Sequence, residues 1–359
     1  MTLKWRIYYG ISSMQRLPFY ENPPIHFAFN ASREDFIVRE ISSHTWSQSG
    51  SYLILELERT NLSTWEVAQE LQDALGLSAS QVSYAGLKDK QATSTQYFAV
   101  PLRVAKAVEK FTHPHMRILS TARHNEKLSL GDIAANSFDL TLHYVKPIDA
   151  PRIESMVQIL RQQGFANYFG YQRFGVQGGN FEQAKAAAHD EEHVEDTKLH
   201  RLLVSAYQSE LFNRWLAKRV ILSRGAAESM TNAPLTLLEG DVLYNYTTQK
   251  WENVTDVTTM RKALKEQKVA ITGLLAGAKA WRAKGAAGAI EAQFDDDVVM
   301  AKGDRRIAWV YPKKVRTHYD ADKETMQLSF ELPKSVYATV FLEAIAGRDL
   351  TPKPREKRS

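Results

Sequence analysis

The chain is predicted to be an α/β protein in which a core of strands and one capped helix is interrupted by a largely helical insertion. Three observations predict this. Short runs of β-branched and aromatic residues open the chain, a helix with clear start and stop signals lies among them, and strand texture fades after about residue 164 but returns near residue 326. The length agrees: 359 residues and 40.7 kDa exceed the usual single core, so two domains, or one core with a large insertion, are expected.

The elements follow in order. Phe36 to Ile41 and Tyr52 to Arg59 mix β-branched and aromatic residues with charges in strand-length runs. Ser63 with Glu66 three residues on forms a capping box; Trp65, Ala68, Leu71 and Leu75 recur at helical spacing, and Gly76 stands where a C-terminal stop belongs. Val82 to Ala85 reads as a strand running into the polar loop Gly86-Leu87-Lys88-Asp89-Lys90-Gln91. Gln96 to Val100 resumes as a strand, ended by Pro101. From Ser137 to Tyr144 the alternation is strict, with Phe138, Leu140, Leu142 and Tyr144 on one face, so this strand should be half buried.

Beyond residue 164 helices dominate, at Glu182 to Ala188 and at Arg201 to Leu222. Gly273 to Ala289, rich in Gly and Ala, reads as a flexible surface loop. Met326, Leu328, Phe330 and Leu332 then alternate with polar residues, which closes the core after about residue 310.

Composition narrows the function. Hydrophobic residues at 44% and charged residues at 24% are globular values, which excludes wholesale disorder. The absence of cysteine excludes disulfides, thiolate nucleophiles and sulfur-ligated zinc. A net charge of +5 admits an anionic partner without demanding one, and +3 of it lies in the tail from Arg348 to Ser359, where Arg348, Lys353, Arg355, Lys357 and Arg358 face Asp349 and Glu356. Met1 to Arg16 has no signal-peptide core and no run approaches ~18 apolar residues, so a soluble, cytoplasmic protein is expected.

Three segments could carry chemistry. In the Gly86 to Gln91 loop, Asp89 between two lysines combines a nucleophile or base with cations that favour its ionised form; a solvated surface turn is the alternative. His189 and His193 lie four apart, as in zinc hydrolases, but Asp190 stands where those enzymes need Glu, and the acidic run to Asp196 reads as a solvated face. Asn167-Tyr168-Phe169-Gly170-Tyr171-Gln172-Arg173-Phe174-Gly175 places donors among rings, which suits stacking on bases or, equally, core packing. There is no Walker loop, dinucleotide glycine fingerprint or Gly-x-Ser-x-Gly elbow.

Taken together, Ala85 to Ala92, Asn167 to Gly175 and Ser205-Ala206-Tyr207-Gln208-Ser209-Glu210-Leu211-Phe212-Asn213 resemble, in order, three motifs of the tRNA pseudouridine synthase D (TruD) family. Further similarity at Glu34-Asp35-Phe36, Asn136 with Phe138, and Leu332-Pro333 with Tyr337-Ala338-Thr339 extends the resemblance over about residues 34 to 346. It implies a pseudouridine-synthase-type core with a mixed or antiparallel sheet, formed by 1–163 and 311–346. A family-specific, largely helical insertion would span 164–310, and a flexible basic tail 347–359.

By the same resemblance Asp89 is catalytic, Phe36, Asn136 and Tyr337 contact the target nucleotide, and Phe138 stacks on the flipped base. Asn167, Gln172 and Arg173 would contact substrate. Lys88 and Lys90 would flank Asp89 as candidate cations, with a distant Arg as the other possibility. The implied reaction isomerises uridine to pseudouridine in tRNA, at uridine 13, by a monomer with neither cofactor nor metal. A non-catalytic tRNA-binding or RNA-folding protein on the same fold is the alternative. The chain departs from the family at Ser94, Arg59, Ser335 (often Gly) and ahead of Glu343, where the usual Arg is missing.

Overall fold

The computed structural model describes residues 16–29, 34–88, 90, 92–174, 181–190, 196–225 and 235–352, apart from the Lys198 side chain. Asp89, Gly175, His193 and the tail from Lys353 lie outside the described residues. The chain divides into two compact units: a sheet unit of His26–Val157 with Pro312–Ser335, and a helix-rich unit of Met1–Ile25, Gln158–Tyr311 and Val336–Ser359.

In the sheet unit the chain order is β1 (Ala28–Phe29), β2 (Phe36–Ser42), β3 (Tyr52–Arg59), α1 (Thr64–Leu75), β4 (Ser83–Tyr84), β5 (Thr93–Pro101), α2 (Ala105–Val108), β6 (Met116–His124) and β7 (Ile133–His143). Helix α3 (Ala150–Gln163) carries the chain across the boundary between the units. The helix-rich unit adds β8 (Phe165–Ala166), α4 (Phe181–Ala188), α5 (Thr197–Gly225), β9 (Val242–Asn245), β10 (Lys250–Asn253), α6 (Val257–Lys265), β11 (Val269–Leu275), α7 (Gly285–Glu291), β12 (Asp304–Ile307) and β13 (Trp309–Val310). Strands β14 (Lys313–Asp320) and β15 (Thr325–Pro333) return to the sheet, and α8 (Ala338–Ala346) belongs with the helix-rich unit.

The sheet runs β14-β15-β7-β2-β5-β3-β6, with β1 beside β7 and β4 beside β5. It is mixed because β2 and β5 run parallel while the other described pairs are antiparallel. Helix α1 starts at the expected capping box and ends at Gly76, whose φ of 62° needs glycine. Its buried stripe is Thr64, Val67, Ala68, Leu71 and Leu75, packed on Leu55, Leu57 and Phe98. Trp65, expected on that face, is 60% exposed, because the stripe centres on Val67 and Ala68 and turns Trp65 outward. Tyr144 is likewise 71% exposed: the strand ends at His143, and a φ of 58° breaks the alternation.

The insertion carries more strand than its sequence suggests, a four-stranded sheet ordered β10-β9-β11-β12. Gly273 to Ala289, expected as a flexible loop, begins inside buried β11 and ends in α7. A Cβ on Gly273 would lie 2.3 Å from the Trp215 ring of α5, so glycine there reports close packing rather than flexibility.

The ends of the chain differ from expectation too. Residues 16–25 and 336–346, expected with the sheet, group with the insertion because α8 gathers them: Ile25 N–H donates to the Ala346 carbonyl at 2.8 Å, and Arg16 grips Glu343 through Nε (2.6 Å) and Nη2 (2.5 Å). The tail is ordered at its start, where Leu350 N–H donates to Glu343 and Thr351 Oγ1 to Asp349.

Candidate active site

The loop carrying Asp89 is anchored on both flanks within the sheet unit. Gln96, fully buried on β5, donates through Nε2 to the Gly86 carbonyl and accepts at Oε1 from Thr64 Oγ1 at 3.1 Å. Thr64 Oγ1 in turn accepts the Lys88 N–H at 2.9 Å. The first turn of α1 and the loop are therefore one hydrogen-bonded node, which explains why a capped helix precedes the loop in sequence.

Both lysines are committed to carboxylates. Lys90 Nζ donates to Glu66 Oε1 at 2.5 Å, while the other Glu66 oxygen accepts the Ser63 N–H at 2.6 Å in the capping box. The Lys90 hydrogen bond, helped by the cap, draws the Glu66 carboxyl down to about 2. Lys88 Nζ donates to Glu40 Oε2 at 2.9 Å, and both side chains are buried. Burial raises the Glu40 carboxyl above its ordinary range, and Lys88 opposes the rise. Glu40 was not picked out from sequence. The available signal was alternation: in β2 it shares a face with Phe36 and Val38, so an acid there had to be buried and paired.

The strand register gathers the expected nucleotide-contacting residues of this unit on that face. Glu40 lies opposite Asn136, Val38 opposite Phe138, and Phe138 opposite Phe330. Glu40 Oε1 and Asn136 Oδ1, on residues paired across the strands, are both buried without a hydrogen-bond partner among the described residues. Phe138 is 6% exposed, stacked on Phe330 at 5.3 Å and 22° and edge-on to Phe36 at 6.0 Å. Phe36 and Asn136 are half-buried.

The remaining candidates sit together in the helix-rich unit, and the third sequence motif holds the second. Ser205, Ser209 and Asn213 recur every four residues on α5 and so share a face. Asn213 clamps the Phe169 backbone, accepting its N–H at 2.8 Å and donating to its carbonyl at 3.0 Å. Arg173 donates to Ser209 Oγ at 3.2 Å and to Ser205 Oγ. Gln172 accepts from Thr339 Oγ1 at 3.0 Å, and the half-buried Tyr337 ring meets Phe169 edge-on at 6.2 Å. Asn167 is a strut rather than an open amide: it donates to the Ile307 carbonyl and accepts from Arg306, both at 2.8 Å.

His189 Nε2 lies 2.6 Å from Asp296, which also accepts from Tyr207, while His193 of the same spacing lies outside the described residues. Among the described residues no group of three metal-type side chains exists. Nor is any described helix long and apolar enough to cross a membrane.

A loop fixed against a sheet face that bears an amide and aromatic rings suits an enzyme that handles an extruded base, the class of RNA-modifying enzymes. The family model of tRNA pseudouridine synthase D (TruD) matches residues 16–185 and 182–345. Proteins named tRNA pseudouridine synthase D are 34% identical in Wolinella succinogenes over 358 residues (94% of this chain, 99% of the relative) and 35% identical in Nitratiruptor sp. over 357 residues (94% and 99%). A Methanosarcina mazei chain crystallised as a candidate tRNA pseudouridine synthase D superposes with a TM-score of 0.69 at 25% identity, covering 94% of this chain and 97% of that one. The chain belongs to the tRNA pseudouridine synthase D family, and it is an enzyme, an isomerase of that class.

Proposed function

We propose that this enzyme converts uridine 13 of tRNA to pseudouridine, with Asp89 as the catalytic carboxylate and with no cofactor, as a cytoplasmic monomer. The observation that carries the reading is the anchoring of the Asp89 loop at Gly86 and Lys88, with Lys88 bound to Glu40 directly opposite Asn136. The reaction breaks the N1–C1′ bond of uridine, turns the base and joins C5 to the same carbon, so it needs an ionised carboxylate, a grip on the uracil edge and an aromatic wall. It needs no redox change or outside energy.

Asp89 either attacks the anomeric carbon or removes a sugar proton to give a glycal. Asn136 presents an amide that donates and accepts, which suits the uracil edge through bond cleavage and rotation. Phe36 and Phe138 provide the aromatic wall, and extrusion of the base, at a few kcal/mol, is offset by stacking of about 1–3 kcal/mol. Tyr337, Gln172 and Arg173 contribute RNA contacts from the helix-rich unit. Lys88 and Lys90, held by Glu40 and Glu66, hold the loop in place.

The test is Asp89→Asn expressed in a strain lacking the gene, with pseudouridine mapped in its tRNA. The modification at position 13 should vanish while tRNA affinity stays near wild type. Full modification by the variant would refute the assignment and favour the non-catalytic RNA-binding reading.

A further inference from the structure

Arg219, Arg305, Arg306 and Arg173, all in the helix-rich unit and at least partly buried, fall into two kinds. Arg219 forms a two-pronged pair with Asp241 at 2.6 and 2.9 Å, and Arg305 meets Glu291 at 2.7 and 3.2 Å. These charges are neutralised where they lie. Arg306, the next residue on β12, points to the opposite strand face and meets no acid among the described residues. It donates through Nε to the Asn167 carbonyl (3.1 Å) and through Nη2 to Asn167 Oδ1 (2.8 Å) and the Tyr168 carbonyl (3.4 Å). Its guanidinium lies 3.9 Å from the centre of the Phe169 ring.

Arg173 approaches the same ring at 5.8 Å and is held by two serine hydroxyls, again with no carboxylate. Among the described residues neither arginine has an ion-pair partner and neither Nη1 has an acceptor. Burial, reinforced by the charge of Arg173 and opposed by Tyr337, lowers Arg306 to about 10, so it stays protonated at neutral pH.

A cation 7% exposed and without a counter-ion is costly, and a second cation within electrostatic reach adds to the cost. Carbonyls and the ring faces of Phe169 and Phe212 offset part of it. What the pair lacks is an anion. We propose that Arg306 and Arg173, arranged around Phe169, form a binding site for a backbone phosphate of the RNA substrate. The planar guanidinium presents paired donors that match phosphate oxygens. Half-buried Arg173 and Tyr337 and exposed Gln172 form the open side. Gly170 keeps this side clear, since a Cβ there would lie 2.7 Å from Gln172 Oε1 and 3.1 Å from Tyr337. This assignment rests on the RNA-modifying reading and gives the second sequence motif a specific task.

The test is the salt dependence of tRNA binding by Arg173→Gln, Arg306→Gln and the double variant. Each lost phosphate contact should lower the slope of log affinity against log salt by about 1. Affinity at 0.1 M salt should fall about tenfold per contact. Arg306→Lys should recover much of the slope, and Arg152→Gln, a cation already paired with Asp149, should keep it. If Arg306→Gln fails to fold, half-buried Arg173→Gln carries the test. An unchanged slope in folded variants overturns the proposal. So does stabilisation of the wild type by inorganic phosphate that Arg173→Gln abolishes without altering tRNA affinity, since the site would then serve a free anion. Binding is read without turnover: an inactive wild type whose slope still drops in the variants would refute the isomerase reading and support this one.

Discussion

The cations beside the Asp89 loop and those around Phe169 are handled in opposite ways. In the sheet unit the lysines beside the Asp89 loop are each matched to an acid, Lys88 to Glu40 and Lys90 to Glu66. In the helix-rich unit Arg173 and Arg306 gather around Phe169 with hydroxyls, carbonyls and rings but, among the described residues, no acid. The first arrangement is charge-matched without substrate and fixes a loop. The second is electrostatically incomplete and suits a polyanion that supplies the missing charge.

The largest effect should come from undoing the first arrangement. Glu40→Gln strands the Lys88 ammonium in a buried setting, and loss of one partner of such a pair costs about 3 kcal/mol. Removing both charges in Glu40→Gln/Lys88→Met should restore much of the stability. Denaturant unfolding of the four proteins in the cycle measures this, and strict additivity would mean that the pair does not hold the loop.

A second contrast lies in pH. Glu66, drawn down to about 2 chiefly by its Lys90 hydrogen bond, adds stability above its unfolded value of 4.5 and loses that contribution as pH falls through the folded value. Glu40, raised chiefly by burial, makes its full contribution below 4.5 and loses it as pH rises through its higher folded value. Carboxyl NMR titration should place the two on opposite sides of 4.5. Coincident titrations would break the contrast.

The smallest effect concerns Ser335, just ahead of Tyr337. Its φ of 65° is the left-handed conformation that the family's common glycine adopts freely. Ser335→Gly should therefore stabilise the protein by about 1 kcal/mol, read as a rise in melting temperature. A loss of stability would show that the serine makes a compensating contact.

Much of this was legible in advance. The capping box at Ser63 and Glu66, the glycine stop at Gly76 and the alternation of Met326, Leu328, Phe330 and Leu332 are local rules, and the structure follows them. The motif around Asn167 and the one around Ser205 were readable as separate signals. That Asn213 clamps Phe169, and that two serines hold Arg173, was not, because those contacts join residues more than 30 positions apart. The sheet from β9 to β12 was missed for a related reason: Gly273 read as slack, when it is the only size that fits against Trp215.

The sequence by itself determined the limits of α1, the inward face of β15 and the family resemblance of the Asp89 loop, because periodicity, caps and motif order act over a few residues. Tertiary structure alone decided which charges are satisfied. Arg305 and Arg306 are adjacent and identical in type, yet strand geometry turns one to Glu291 and the other to Phe169. Whether a charge is neutralised depends on what lies across from it, and that partner is brought in from a distant part of the chain.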